Sequence, residues 1–120
     1  MRVGIDSVEI ERIEKSLGIK GFKERVFSEE EIELLDAKGG HTQSYAANFA
    51  AKEAFSKALG TGMRGISWTE IAVLRDELGA PYLKLSGNAL NVAKELAFTV
   101  SLTHTKTTAT AIVIAYEDIR

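Results

Sequence analysis

Cysteine is missing from all 120 residues, which excludes disulfides, thiolate catalysis and cysteine-based zinc sites. No apolar run approaches the length of a membrane span, and Met1 leads straight into Val3, Ile5 and Val8 without the charged start and long apolar stretch of an export signal. A soluble, unexported protein is expected, and a cytoplasmic location fits. Net charge is scarce too: 15 basic against 17 acidic residues leave −2, too little to draw nucleic acid or an acidic membrane to the surface as a whole. Any anionic partner needs a local cluster of cations. Internal repeats and low-complexity linkers are also lacking. With 45% hydrophobic and 27% charged residues the composition is that of an ordinary globular chain, long enough for one core, and a single domain over 1–120 is expected.

The pattern of elements reads as α+β. VGIDSV (3–8) alternates Val3 and Ile5 against Gly4 and Asp6, a short strand with Asp6 on its other face. Ile10, Ile13 and Leu17 then recur at helical spacing among charged residues. Ser28 and Glu31 form a capping box, with Phe27 and Ile32 as its hydrophobic staple, so a second helix starts near Glu29 and stops at Gly39 and Gly40. Its acids, Glu29, Glu30, Glu31, Glu33 and Asp36, could be mistaken for a metal cluster, but those of the first turn complement the helix dipole and are expected to be solvated. An alanine-rich helix runs from about Ser44 to Leu59 and is stopped by Gly60-Thr61-Gly62. EIAVLRD (70–76) and PYLKL (81–85) suggest a hairpin turning at Gly79, and Ser86 can cap a helix reaching about Leu96. FTVSLTHT (98–105) and TATAIVIAY (108–116) read as two tightly joined strands, the second apolar enough to be central. The expected fold is a small antiparallel-type sheet packed with helices.

On the alanine-rich helix, Glu53 shares its face with Phe49, Ala50, Ser56 and Lys57. A carboxylate buried there must be paired with Lys57, protonated, or bound to a metal. An ordinary Glu–Lys pair four residues apart would explain it without chemistry. Asp6 supplies a second acid, and two carboxylates with open coordination positions suit Mg²⁺, which takes its other ligands from water and substrate phosphates. Ser101, Thr103, His104 and Thr105 form a cluster able to hydrogen-bond phosphate oxygens, although a strand histidine in line with Val100 and Leu102 is by default a core residue.

VGIDSVEIERI (3–13), FAAKEAFSKALGTG (49–62) and SLTHTKTTATAIVIA (101–115) resemble, in order and spacing, the three motifs of the holo-acyl-carrier-protein synthases, the small bacterial class of 4′-phosphopantetheinyl transferases. The resemblance covers essentially the whole chain and implies that family's fold. It also implies Asp6 and Glu53 as ligands of Mg²⁺ on the pyrophosphate of coenzyme A, with no other cofactor. Lys57 would neutralise charge at the leaving group. Transfer of the phosphopantetheine arm to a serine of an acyl carrier protein would release adenosine 3′,5′-bisphosphate and serve fatty acid biosynthesis. By the same resemblance, Gly62, Ser101, His104 and Thr105, with Lys57, would contact the coenzyme, and the glycines after the helix double as its stop signal. The acidic carrier would dock on cations chosen from Arg12, Lys15, Lys20, Lys23 and Arg25, with Arg12 and Arg25 foremost. The class further implies a homotrimer with active sites between subunits. Asn48, five residues before Glu53, stands where relatives often carry a base, so a phosphate contact is missing there or supplied by another side chain. A Mg²⁺-dependent phosphohydrolase using the same acids, and a non-catalytic module docking through helix 29–37, are the competing readings.

Overall fold

Alanine dominates the longest helix, and its small side chains let neighbouring backbones come close on every side. The computed structural model describes residues 1–118. In it this helix, α4 (Thr42–Leu59), is buried along nearly its whole length. It is preceded by β1 (Arg2–Glu9), α1 (Ile10–Leu17), α2 (Phe22–Val26) and α3 (Glu29–Ala37). It is followed by a 3-10 turn (Trp68–Glu70), β2 (Ile71–Arg75), β3 (Pro81–Leu85), α5 (Gly87–Val92), β4 (Leu96–His104) and β5 (Thr108–Glu117). The α+β expectation holds.

The sheet has the order β1-β5-β4, all antiparallel, with β5 central as its apolar sequence implies, while β2 and β3 form a separate two-stranded ribbon. One face of the sheet lies on α4 through Val8, Val100, Ala109, Ala111, Val113 and Ala115, all buried. Period-two alternation identifies β1 and sets Asp6 opposite Val3 and Ile5, yet the face that meets the core carries Gly4 and Val8. Val3 and Ile5 remain 54% and 58% exposed on the outer face, beside Ile112 and Ile114 of β5. The cause is Gly4: a Cβ there would run into the Ala54 carbonyl and stand 2.7 Å from the Ala58 nitrogen, so only glycine lets β1 lie directly on the α4 backbone.

Three boundaries differ from expectation. α4 begins two residues earlier, at Thr42. α5 ends at Val92, and Leu96 opens β4 instead of closing a helix. Gly87, Asn88 and Asn91 are poor helix formers, and Ser86 makes no side-chain cap; the Glu70 carboxylate receives the Asn88 N–H at 3.0 Å in its stead. The capping box at Ser28 is present, with Glu31 Oε1 accepting from the Ser28 N–H at 2.9 Å and Ser28 Oγ accepting from the Glu31 N–H at 3.2 Å.

Candidate active site

Because β1 rests on the α4 backbone, Asp6 is carried to the flank of the helix that bears Glu53 and Lys57. Lys57 Nζ donates to the Ile5 carbonyl at 2.9 Å and to Asp6 Oδ1 at 3.2 Å. The cation expected to pair with Glu53 along the helix therefore pairs across to β1, where a carbonyl and a carboxylate lie within reach together. Asp6 retains 19% of its side-chain exposure, and Glu53 is half-buried and not fully enclosed. Burial raises the Glu53 pKa above the ordinary glutamate value, and the Asp6 charge raises it further, against the pull of Lys57 and Arg12. The two part-buried carboxylates are near enough to repel each other, and their oxygens are of the kind a hard cation takes.

Among the described residues no group of three or more His, Cys, Asp or Glu side chains converges on one point. Two acids nevertheless fit Mg²⁺, which keeps waters and takes phosphate oxygens at its remaining positions.

His104 is exposed and not a core residue; its Nδ1 lies 3.2 Å from the Thr105 carbonyl oxygen. Thr105 Oγ1 accepts the N–H groups of Thr107 and Thr108 at 3.2 and 3.1 Å, so this hydroxyl also closes the β4–β5 turn. Ser101, Thr103 and His104 line a cleft of about 280 Å³ with Gln43, Arg75 and Gly79, and His104 and Thr105 line a neighbouring one of about 470 Å³ with Ile10, Gln43 and Lys106. Both lie by the start of α4. Gly62 follows the far end of that helix, in a left-handed conformation (φ 68°) facing open space. At 1.5 Å per residue, Gln43 and Gly60 are separated by about 26 Å, so one chain does not bring Gly62 to the His104 cluster.

Of the docking cations, Arg12 lies over the Phe49 ring at 5.7 Å, and Phe49 in turn stacks on Trp68 at 5.4 Å. Arg25 is exposed on α2. Lys23 is engaged internally, donating to Asp36 Oδ2 at 2.9 Å and lying over the Tyr45 ring at 5.1 Å. Lys15 pairs with Glu11 at 3.4 Å in full solvent, a contact of little energy.

A buried polar cluster escaped the sequence reading. Lys52 is fully buried and donates to Glu31 Oε1 and the Val26 carbonyl, both at 2.6 Å, and to the Trp68 carbonyl at 3.0 Å. Burial lowers its pKa and the Glu31 charge opposes that shift. Glu31, expected to be solvated, has no exposed surface. Its Oε2 accepts from Asn48 Nδ2 at 3.0 Å, and the same amide donates to the Val73 carbonyl at 3.0 Å. Asn48 Oδ1 accepts from Arg75 Nη2 at 2.9 Å. Asn48 is thus a fully buried linker with its amide occupied, and cannot itself face a phosphate. A signal was present in α4: Lys52 shares its helix face with Asn48, Phe49, Phe55 and Ser56, and a lysine buried among such neighbours needs an acid from elsewhere.

The profile of the 4′-phosphopantetheinyl transferase superfamily matches residues 2–113. The chain belongs to that superfamily. Among curated holo-[acyl-carrier-protein] synthases, that of Treponema denticola is 51% identical over 116 residues, covering 93% of this chain and 94% of its own. That of Alkaliphilus metalliredigens is 47% identical over 117 residues, covering 94% and 96%. The Helicobacter pylori synthase, solved in complex with coenzyme A, superposes with a TM-score of 0.84 at 34% identity over 95% of this chain and 99% of that one. The Bacillus anthracis synthase, solved with CoA (3′,5′-ADP), gives 0.83 at 37% identity over 98% and 96%. Within the superfamily the chain therefore groups with the holo-acyl-carrier-protein synthases, as a phosphopantetheinyl transferase, and shares their fold.

Proposed function

We propose that this transferase moves the 4′-phosphopantetheine arm of coenzyme A onto a serine hydroxyl of an apo-acyl carrier protein in the cytoplasm, releasing adenosine 3′,5′-bisphosphate. The observation that carries this reading is Asp6 held against α4 beside Glu53, with Lys57 bonded to Asp6 and the Ile5 carbonyl. Asp6 and Glu53 would hold Mg²⁺, which when bound supplies charge neutralisation at a pyrophosphate. Lys57 keeps an ammonium at the same place, where charge develops on the leaving phosphate as the serine oxygen–phosphorus bond forms and the pyrophosphate bond breaks. Ser101, His104 and Thr105 offer hydrogen-bonding groups to the nucleotide end of the coenzyme, and Gly62 an open backbone. Arg12 and Arg25 present cations to the acidic carrier, and the modified carrier serves fatty acid biosynthesis.

The same reading includes a homotrimer. The separation of Gly62 from the His104 cluster by the length of α4 supports a pocket completed by a neighbouring chain. The exposed Val3 and Ile5, next to Ile112 and Ile114, support association through the outer face of the sheet. Apo-carrier incubated with enzyme, coenzyme A and Mg²⁺ is expected to gain the mass of one phosphopantetheine. Release of that arm with no change in carrier mass would make the protein a phosphohydrolase and refute the proposal.

A further inference from the structure

Lys52 and Arg75 bring two positive charges to the buried cluster around Asn48, and Glu31 brings one negative. Lys52 and Glu31 satisfy each other at 2.6 Å. Arg75 has no carboxylate within 4.0 Å among the described residues. Its guanidinium is fixed by Asn48 Oδ1 at 2.9 Å and by longer bonds from Nη1 to the Val73 and Leu74 carbonyls at 3.4 and 3.2 Å. Of the five N–H donors of an arginine, Nε–H and the second Nη2–H are left over. The half-buried side chain lines the 280 Å³ cleft together with Ser101, Thr103 and His104. A guanidinium anchored by Nη1 and one Nη2 hydrogen, with two donors unspent and the His104 imidazole in the same cleft lining, is arranged for a tetrahedral oxyanion.

We infer that Arg75, oriented by Asn48, binds a phosphate group of coenzyme A in the cleft it shares with Ser101, Thr103 and His104. The inference rests on the transferase reading above. Asn48 faces β2, whereas Asp6 approaches α4 from β1. The phosphate at Arg75 is therefore one other than that held by the two acids of the same chain. The cation that the motif resemblance leads one to seek at position 48 is then delivered from β2, with Asn48 as its support.

Calorimetry with adenosine 3′,5′-bisphosphate tests this without requiring transfer. Arg75→Gln should weaken binding by about 10- to 100-fold, the range for a lost charge-assisted bond, while the KM for the carrier stays unchanged. Asn48→Ala should weaken nucleotide binding by a smaller factor, through loss of orientation. Comparison with adenosine 5′-monophosphate assigns the phosphate: a loss confined to the bisphosphate places Arg75 at the 3′-phosphate, and an equal loss at the 5′ side. Equal affinity of wild type and Arg75→Gln for both nucleotides would overturn the inference. The wild-type Arg75 Nε–H resonance provides a check independent of any variant's folding, since it should shift on adding the bisphosphate, and a stationary signal at saturation would also overturn it. Wild type that binds the bisphosphate but leaves the carrier unmodified would refute the transferase reading alone.

Discussion

Replacing Lys52 by methionine should be among the most damaging single changes in the chain, because it removes a charge with no access to water. Lys52 and Glu31 are each 0% exposed, and the ammonium also satisfies the carbonyls of Val26 and Trp68. Methionine fills similar volume, so the loss is electrostatic and not one of packing. Glu31 would keep its bonds from Ser28 N–H and Asn48 Nδ2 but lose its counter-charge, and breaking a buried pair from one side costs about 3–5 kcal/mol. With an unfolding entropy of about 2.1 cal/mol/K per residue, a 120-residue domain has roughly 0.25 kcal/mol/K, so the melting temperature should fall by about 12–20 °C. Lys52→Met/Glu31→Leu should recover most of this, retaining a deficit of about 1 kcal/mol for the lost capping box. The assay is thermal and urea denaturation of wild type, both single variants and the double at one protein concentration, because association shifts the midpoint. A cost below about 1 kcal/mol for Lys52→Met, or a double variant that merely sums the two single costs, would refute the buried-pair reasoning.

Asp6→Ala and Glu53→Ala should each abolish transfer with melting temperatures near wild type, and EDTA should do the same; full activity of either variant at ordinary Mg²⁺ would remove the metal assignment. Arg12→Glu and Arg25→Glu should raise the KM for the carrier far more than for coenzyme A, and added salt should mimic them, whereas equal rises would place these residues at the nucleotide. Gly4→Ala should destabilise the fold by about 3 kcal/mol, since the new methyl meets α4 backbone and no side chain can rotate away; denaturant midpoints measure it. Tyr45→Phe removes the bond to Asp36 Oδ1 at 2.7 Å, and pH titration of stability checks its effect at both extremes. Burial first, and then the Asp36 bond, push the Tyr45 pKa up to about 12, and the Asp36 bond raises that of Lys23, so their stabilisation is complete below about pH 10 and lost above it. Asp36 is held below its ordinary value, by Tyr45 first and Lys23 second, so its share is lost as the pH falls below about 4. The variant should flatten both slopes, and unchanged profiles would contradict the assignment.

Glu31 shows where legibility in the sequence ends. One of its oxygens closes a capping box three residues away, a local pattern that Ser28 and Glu31 announce directly. Both oxygens also reach α4, to Lys52 and Asn48, at separations of 21 and 17 residues for which no periodicity gives a sign. Lys57 repeats the lesson. The adjacent Glu53 is the partner that helical spacing offers, and Asp6, 51 residues earlier, is the one it bonds. In β1 the period was readable and the buried face was not, because the identity of Gly4 matters only once α4 is laid against it. The central place of β5 and the α4 helix were legible, and Asp6 and Glu53 stood out because their motifs are contiguous. The cleft at Arg75 was not, because it is assembled from β2, β4 and the start of α4.

The pairing of β1 with β5 runs from Arg2 opposite Ala115 to Glu9 opposite Thr108, so the strand bearing Asp6 has its partner about a hundred positions later. During synthesis at about 5–20 residues per second, Asp6 therefore waits several seconds for the strand that will hold it. Contacts this remote in sequence slow folding more than they weaken the folded state. A nascent chain that has not yet made β5 already carries Asp6, Glu53 and Lys57, but its β1 must rest on α4 without the ladder that fixes its register. Pulse-labelled hydrogen exchange should accordingly find β1 amides protected no earlier than those of β5. The place of Asp6 beside α4 is thus settled only after β5 has been made, so the geometry at this flank is among the last features of the fold to become exact.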